Sequence, residues 1–504
     1  LYLEQEILVK DALKVLNKEP DLQPVTETEI LKVIYRLVMQ DSIVVEENRI
    51  YITKQYQEED DTASMIARKL YERIPVLTIE KELEEAQKDL NITLSEQQKE
   101  AVRMVFANPI SIITGGPGTG KTTVLKVILY IYQKKCGNKV QLMAPTGRAA
   151  RRMAESTGSG DATTMHMALG LFGDGDYEAL IDELSADFIN VDEVSMVDMH
   201  LAYEFFYKVK AGARVLLVGD VHQLPSVGAG DVFRQLILCG KIPVTVLNLV
   251  YRQGKDSNIP INAQLINEGK TNLQWGDDFQ MIECSGADAA AQIVKNIYLK
   301  EIQVYGMEQV QILSPYKVRS AAGVLELNRS LQDDVNPPVS GKQELHLGGE
   351  IFREGDRILQ NKNTEVASNG DLGTLVQISE DEDNNPIVQI VFTDGRRVKY
   401  EAEQVEMMEH ANAITIHKSQ GSECQVVIIP WLKAFYPMLK RNIFYTGITR
   451  AKLRVYIVGE WKAVCQAIHT DDTGTRKTML AAKIQQYCER YQPQSNRQIP
   501  TTIC

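Results

Sequence analysis

A chain of 504 residues with 44% hydrophobic and 24% charged residues has the composition of a folded globular protein of about three domains at ~150 residues each, which leaves no room for a disorder-dominated reading. The seven cysteines (136, 239, 284, 424, 465, 488, 504) are scattered, odd in number and never in Cys-x-x-Cys spacing, which argues against a disulfide framework, a zinc site and an iron–sulfur cluster. The net charge of −12 taken alone argues against a polyanionic partner, but a groove needs only a local basic lining, and acids concentrate elsewhere, at Glu58–Asp61, Glu380–Asp383 and Glu401–Glu409.

In chain order, residues 1 to about 56 read as two helices and a small hairpin: Glu27 to Gln40 places apolar residues at helical spacing, and "IVVEENRIYIT" is two β-rich runs around a Glu-Asn turn. A winged-helix outline and a plain helical cap with an edge hairpin fit this pattern equally. The charges at Glu4, Glu6 and Lys10 do not suit a signal peptide, and the longest apolar runs are strand-length, so a cytoplasmic protein without membrane contact is expected. A first residue of Leu rather than Met reads as a trimmed or fragmentary N-terminus.

A helix from about Asp60 to Arg73 leads into a segment where β-runs alternate with helical ones: "SIIT" (111–114), "VQLMAP" (140–145), "FINVDE" (188–193), "VLLVGD" (215–220) and "VTVLNL" (244–249). This alternation predicts a parallel sheet with helices on both faces. A second set follows at "VQILSP" (310–315), "AITIH" (413–417), "CQVVIIP" (424–430) and "LRVYIVGE" (453–460). Between 347 and 405 short strands and Asn/Asp/Gly turns predict a small barrel inserted into the second sheet domain. The tail from 490 is polar and expected to be disordered.

"ITGGPGTGKTT" (113–123) follows a β-run and precedes a helical run, the context a phosphate-binding loop needs. Its glycines free backbone N–H groups to form an anion nest, Lys121 reaches the β- and γ-phosphates, and the Thr122 hydroxyl offers a ligand to Mg²⁺. Asp192 and Glu193 close the strand "FINV" at its carboxyl end, where open α/β sheets place ligands. Asp192 would hold Mg²⁺ and Glu193 would polarise the attacking water, so the pair predicts hydrolysis as well as binding. Gln223, in "GDVHQLPSVG", is placed to sense the γ-phosphate, and Asn190 is an unexplained polar residue inside its strand.

"LSEQQKEAV", "GGPGTGKTT", "APTGRAARRM", "TTMH", "VDEVSMVD", "GDVHQLPSVGAG", "YRQ", "ITIHKSQGSE" and "YTGITRAK" occur in an order that resembles superfamily-one helicases, most of all the RecD-like branch that works without RecB and RecC. The likeness runs from about 60 to 470. It implies an α/β fold of two tandem RecA-like P-loop domains with a Src-homology-three-like barrel inserted in the second. The division is then 1–56 (helical, winged-helix-like module), 57–93 (linker helices), 94–255 (first RecA-like domain), 256–346 and 406–470 (second), 347–405 (barrel) and 471–504 (C-terminal helix and tail).

The resemblance assigns ATP to Gln98, Gly116, Gly118, Thr119, Gly120, Lys121, Thr122, Thr123 and Glu423, with Gln98 reading adenine and Arg252 and Arg450 reaching the γ-phosphate from opposite sides of the cleft. It assigns DNA to Pro145, Thr146, Arg148, His166, His417, Lys418, Ser419 and Gln420, leaving Arg151 and Arg152 as surface. The implied function is an ATP- and Mg²⁺-dependent monomeric helicase moving 5′ to 3′ on single-stranded DNA and opening 5′-tailed duplexes in repair or recombination, with its protein partners unspecified. Two alternatives keep the same motifs: an RNA helicase of the superfamily, and an ATP-gated clamp that does not travel. The interval 169–187 is shorter than the strand-splitting hairpin of RecD-like relatives; at most its turn 172–177 is a reduced pin, with Phe172 and Tyr177 stacking on a base pair.

Overall fold

The structure is a computed structural model that describes residues 1–18, 24–137, 139–158, 160, 162–171, 181–248, 257–364, 366–383, 385–472 and 474–491. Arg252, the turn 172–177 and the tail beyond 491 lie outside the described residues.

The first sheet has six parallel strands in the order Ala162–Thr164, Val140–Ala144, Phe188–Val191, Arg214–Gly219, Ile110–Gly115, Val244–Leu247. Alternate residues enter separate cores: Ile110, Ile112, Val215 and Leu217 face one layer, and Ile113, Leu216 and Val218 the other. Burial on both faces is why these strands are continuous apolar runs without polar alternation, and each Ile or Val so enclosed contributes about 1.5–3 kcal/mol relative to exposure. Asn190 is fully buried in this sheet; its amide nitrogen donates to the Met153 sulfur at 3.2 Å and its Oδ1 has no partner among the described residues.

The second sheet is also parallel, in the order Phe279–Glu283, Ala451–Gly459, Cys424–Trp431, Val310–Ser314, Ala413–Thr415. The strands Ala162–Thr164 and Phe279–Glu283 have no counterpart in the sequence reading; both are mostly only partly buried and lack a continuous apolar run. The inserted domain leaves after Val310–Ser314 and returns at Ala413–Thr415, two strands that pair with each other, so it interrupts the chain without interrupting the sheet. Its main sheet has five antiparallel strands in the order Arg397–Glu401, Pro386–Phe392, Leu372–Glu380, Arg357–Gln360, Met408–His410, and a separate hairpin pairs Glu344–Leu347 with Glu350–Arg353. Its own core includes Phe352, Ile358, Leu375, Val388, Ile390 and Tyr400.

At the N-terminus, helices Gln5–Leu16 and Glu27–Met39 precede the hairpin Ile43–Glu46/Arg49–Ile52, whose second strand also pairs with Tyr2–Glu4. The Thr26 hydroxyl and the Glu29 carboxylate form a capping box that starts the second helix. Helix Thr53–Leu70, longer at its start than the sequence reading had it, packs against Leu480–Tyr491. That last helix runs one residue past the point where the sequence pattern turns polar.

Candidate nucleotide and strand site

Strand Arg214–Gly219 lies between Phe188–Val191 and Ile110–Gly115. Because all three run parallel, the loops that follow them, carrying Asp220–Gln223, Asp192–Glu193 and Gly116–Thr122, open at one edge of the sheet. Gly118 (φ 73°) and Gly120 (φ 85°) take left-handed conformations, which lets successive amides point inward as an L side chain would not. A Cβ on Gly115 would lie 2.7 Å from the Leu247 carbonyl oxygen and 2.8 Å from Thr119 Oγ1, so that position also requires glycine. Lys121, the first residue of helix Lys121–Cys136, donates from Nζ to the carbonyls of Gly115 (2.5 Å) and Gly116 (3.0 Å).

The two acids follow strand Phe188–Val191 directly. Glu193 holds a left-handed φ of 52° and its N–H donates to Asp192 Oδ1 at 2.8 Å; a glutamate in that region is strained backbone of the kind that collects at functional sites. Burial, and next the adjacent Glu193 carboxylate, push the Asp192 carboxyl up to about 6. Two buried polar atoms beside these loops, Ser195 Oγ and Gln223 Oε1, have no partner among the described residues. An anion nest, an ammonium that donates to two carbonyls, a hydroxyl on the first helical turn and a crowded acid pair fit a nucleotide with a hard divalent cation, which Thr122 and Asp192 would hold.

Gln98 is buried behind the loop, with both ends of its amide engaged: Nε2 donates to the Thr119 carbonyl (3.3 Å) and Oε1 accepts from Ser95 N–H (3.0 Å). It braces the phosphate loop, and in this conformation its amide is not free for a base. Glu423 also has a different setting from the nucleotide contact expected: its carboxylate pairs with Arg152 at 2.6 Å and Lys452 at 3.6 Å.

The loop after Arg214–Gly219 is tied to the second sheet domain. Tyr445 donates to the buried Asp220 carboxylate at 2.8 Å, Leu224 N–H donates to Thr446 Oγ1 at 3.0 Å, and Gln420 Nε2 donates to the Leu224 carbonyl at 2.9 Å. Burial first, and then the Asp220 charge, raise the Tyr445 hydroxyl well above its usual range, so it stays a donor. Asp220, Tyr445 and Thr446, which bridge the two domains, have no role in the sequence reading although they stand inside two quoted motifs; nothing in the sequence says that these motifs meet. The Tyr445 hydroxyl also approaches to 3.2 Å the place a Gly116 Cβ would take. Arg450 is buried and held by dipoles: the carbonyls of Thr446 and Ser422 (both 3.2 Å) and Thr449 Oγ1 (3.3 Å).

Of the residues assigned to a nucleic-acid strand, Pro145 and Thr146 lead into helix Gly147–Thr157, where Thr146 Oγ1 caps the Ala149 N–H at 3.3 Å. Gly421 abuts this cap, its Cβ position 3.2 Å from Thr146 Oγ1. His166 is exposed on the short helix Met165–Ala168. His417 is held below the usual imidazole range by burial and then by Lys440, and Lys418 pairs with Glu409 at 2.9 Å. Ser419 and Gln420 are corrected: both are buried, Ser419 bonding the Ile416 carbonyl at 2.7 Å and Gln420 crossing to the first domain. Arg151 and Arg152 are corrected as well, since neither is free surface: Arg151 pairs with Asp371 and Asp394 of the inserted domain, and Arg152 with Glu423.

Three families match in succession: "AAA domain" over residues 93–287, "ATP-dependent RecD-like DNA helicase SH3 domain" over 327–392 and "UvrD-like helicase C-terminal domain" over 410–458. The chain is 33% identical over 372 residues to the ATP-dependent RecD2 DNA helicase of Deinococcus radiodurans, covering 73% of this chain and spanning half the length of that relative (50%). It is 28% identical to the RecBCD enzyme subunit RecD of Mycolicibacterium smegmatis, over 77% of this chain and 76% of that one. Of solved structures, the Pif1 helicase from Candida albicans is similar over 73% of this chain and 94% of its own, with 19% identity and a TM-score of 0.47.

Proposed function

We infer, from the premise that this chain belongs to the RecD-like branch of the superfamily-one helicases, that it hydrolyses ATP and uses the cycle to move 5′ to 3′ along single-stranded DNA, opening 5′-tailed duplexes in repair or recombination. The observation that carries the reading is the seam from Asp220 and Leu224 to Tyr445 and Thr446, which joins a nucleotide-facing loop of one sheet domain to a helix of the other. A change at the phosphate loop therefore acts on the relative position of the two domains. Repeated closing and opening of two strand-holding halves is translocation.

The roles of the chain's groups follow from charge and position. Lys121 and the glycine amides hold the phosphates, and Glu193, strained next to Asp192, orients the attacking water. Arg450 approaches from the second domain to stabilise the loose phosphoryl-transfer state, a contribution worth roughly 10³- to 10⁵-fold where such arginines act. A Mg²⁺ ion held by Thr122 and Asp192 would supply charge neutralisation on the phosphate oxygens. Thr146, Arg148, His166, His417 and Lys418 grip the strand backbone, which sets position without reading sequence. The Deinococcus relative carries "ATP-dependent" and "DNA" in its name, which supports both assignments.

Hydrolysis measured with DNA strands and separately with RNA strands, followed by unwinding of a 5′-tailed and a 3′-tailed duplex, tests the proposal. Stimulation by DNA and opening of the 5′-tailed substrate are expected. Opening of the 3′-tailed duplex alone overturns the polarity, stimulation by RNA alone overturns the substrate, and stimulation without displacement of a block on the strand indicates a clamp.

A further inference from the structure

The basic face of helix Gly147–Thr157 is covered by protein. Arg148 donates to the Gly370 carbonyl, and among the described residues it has no carboxylate within ion-pair distance. Burial first, and then the neighbouring Arg357 and Arg151 guanidiniums, lower its pKa to about 10, so its surroundings favour an anion. Arg151, one turn on, pairs with Asp371 and with Asp394 at 2.9 Å. Arg396 closes the ring from the other side, at 2.8 Å from Asp371 and 2.7 Å from Asp394. The turn bearing these groups sits directly on the start of the helix: a Cβ on Gly147 would lie 2.4 Å from Ser368 Oγ and 2.6 Å from Ser368 Cβ.

We propose that the turn Ser368–Asp371 of the inserted domain, with Asp394, is a gate that occupies the strand surface of the first sheet domain and must leave it before a nucleic-acid phosphate can reach Arg148 and Arg151. The proposal rests on the reading that this chain binds a single strand. Its chemistry is exchange: a carbonyl and two carboxylates present oxygen acceptors to two guanidiniums at a helix N-terminus, the groups and the place that bind phosphate. Gly147 allows the turn to approach this closely. Arg151 remains partly exposed, with 31% of its side chain accessible, so water and an incoming phosphate can reach the pairs and displace them stepwise.

Asp394→Asn removes one charge of the gate and keeps the side-chain volume; it weakens the hold on Arg151 while leaving Arg148, Arg151 and the nucleotide groups themselves unsubstituted. Anisotropy of a fluorescent oligothymidine should show about threefold to tenfold tighter binding than the parent, a shift of the size expected when a competing ion pair is weakened. Hydrogen exchange on the parent gives the second readout, independent of how well the variant folds: amides of 366–371 should exchange faster once the oligonucleotide binds. Unchanged or weaker affinity in Asp394→Asn with an unchanged melting temperature overturns the gate, as does increased protection of 366–371 on binding. If the parent binds no oligonucleotide and its hydrolysis is not stimulated by strands, the proposed function fails and the gate with it. If the parent binds and is stimulated while the variant and the exchange pattern do not respond, only the gate fails.

Discussion

Lys121 rests on two carbonyls, acceptors that carry only partial charge, whereas a phosphate offers full ones. Its replacement by alanine should lower ATP turnover by about 10²-fold or more, the loss typical of removing one preorganised charge stabiliser, with strand binding retained; turnover near the parent rate in a steady-state ATPase assay refutes the phosphate-site assignment. Tyr445 acts differently, since its hydroxyl donates across the seam to Asp220. Tyr445→Phe leaves the buried Asp220 carboxylate short of a donor, so it should cost about 1.5–3 kcal/mol in denaturant unfolding. It should also uncouple the domains: hydrolysis without DNA persists while stimulation by DNA falls. A variant that keeps full stimulation shows that the seam does not transmit the nucleotide state.

The element that holds the N-terminal region to the first sheet domain is the pair of helices Thr53–Leu70 and Leu480–Tyr491. Glu59 is fully buried between them, with Oε1 accepting from Thr478 Oγ1 (2.5 Å) and Met479 N–H (2.9 Å) and Oε2 without a partner among the described residues. Burial raises its pKa above the usual glutamate range, against the opposing pull of Thr478 and Met479. The folded state therefore keeps a proton that the unfolded chain has already released, and stability from this group is greatest at low pH and falls as pH rises from 4.5 through the raised value. The melting temperature of the parent relative to Glu59→Gln should accordingly rise as pH is lowered from 7 toward 5. A difference that stays flat or runs the other way contradicts a buried, protonatable Glu59.

At the scale of the whole molecule, the domains meet through charge as well as through the seam: Arg152 with Glu423, and Arg151 with Asp371 and Asp394. On the proposed function, an acidic chain that grips a polyanion through a few local cations should show strand affinity falling with salt along a slope set by the few phosphates neutralised. Titration of an oligonucleotide across a salt series checks this, and salt-independent affinity points to a partner recognised by other means.

Several features of the phosphate loop and both sheets were legible in the sequence because they depend on neighbours along the chain. Gly118 and Gly120 stand where the turn needs left-handed backbone, Lys121 opens the helix that the turn feeds, and doubly buried strands such as Ile110–Gly115 leave continuous apolar runs. By itself the sequence determined the class of fold, the order of its parts and the place of the acid pair Asp192–Glu193. It could not determine which charged residues lie across a gap from one another. Tyr445 meets Asp220 across 225 positions, and Arg151 meets Asp371 across 220. A lone arginine on a helix face reads as solvated, and a lone acid in a turn does too, until the path of the chain sets them together. Only the tertiary structure decided that Gln420, Glu423 and Arg151 join domains, because the partner of a charged or amide side chain follows from packing over the whole chain, while helix, strand and turn follow from a few residues.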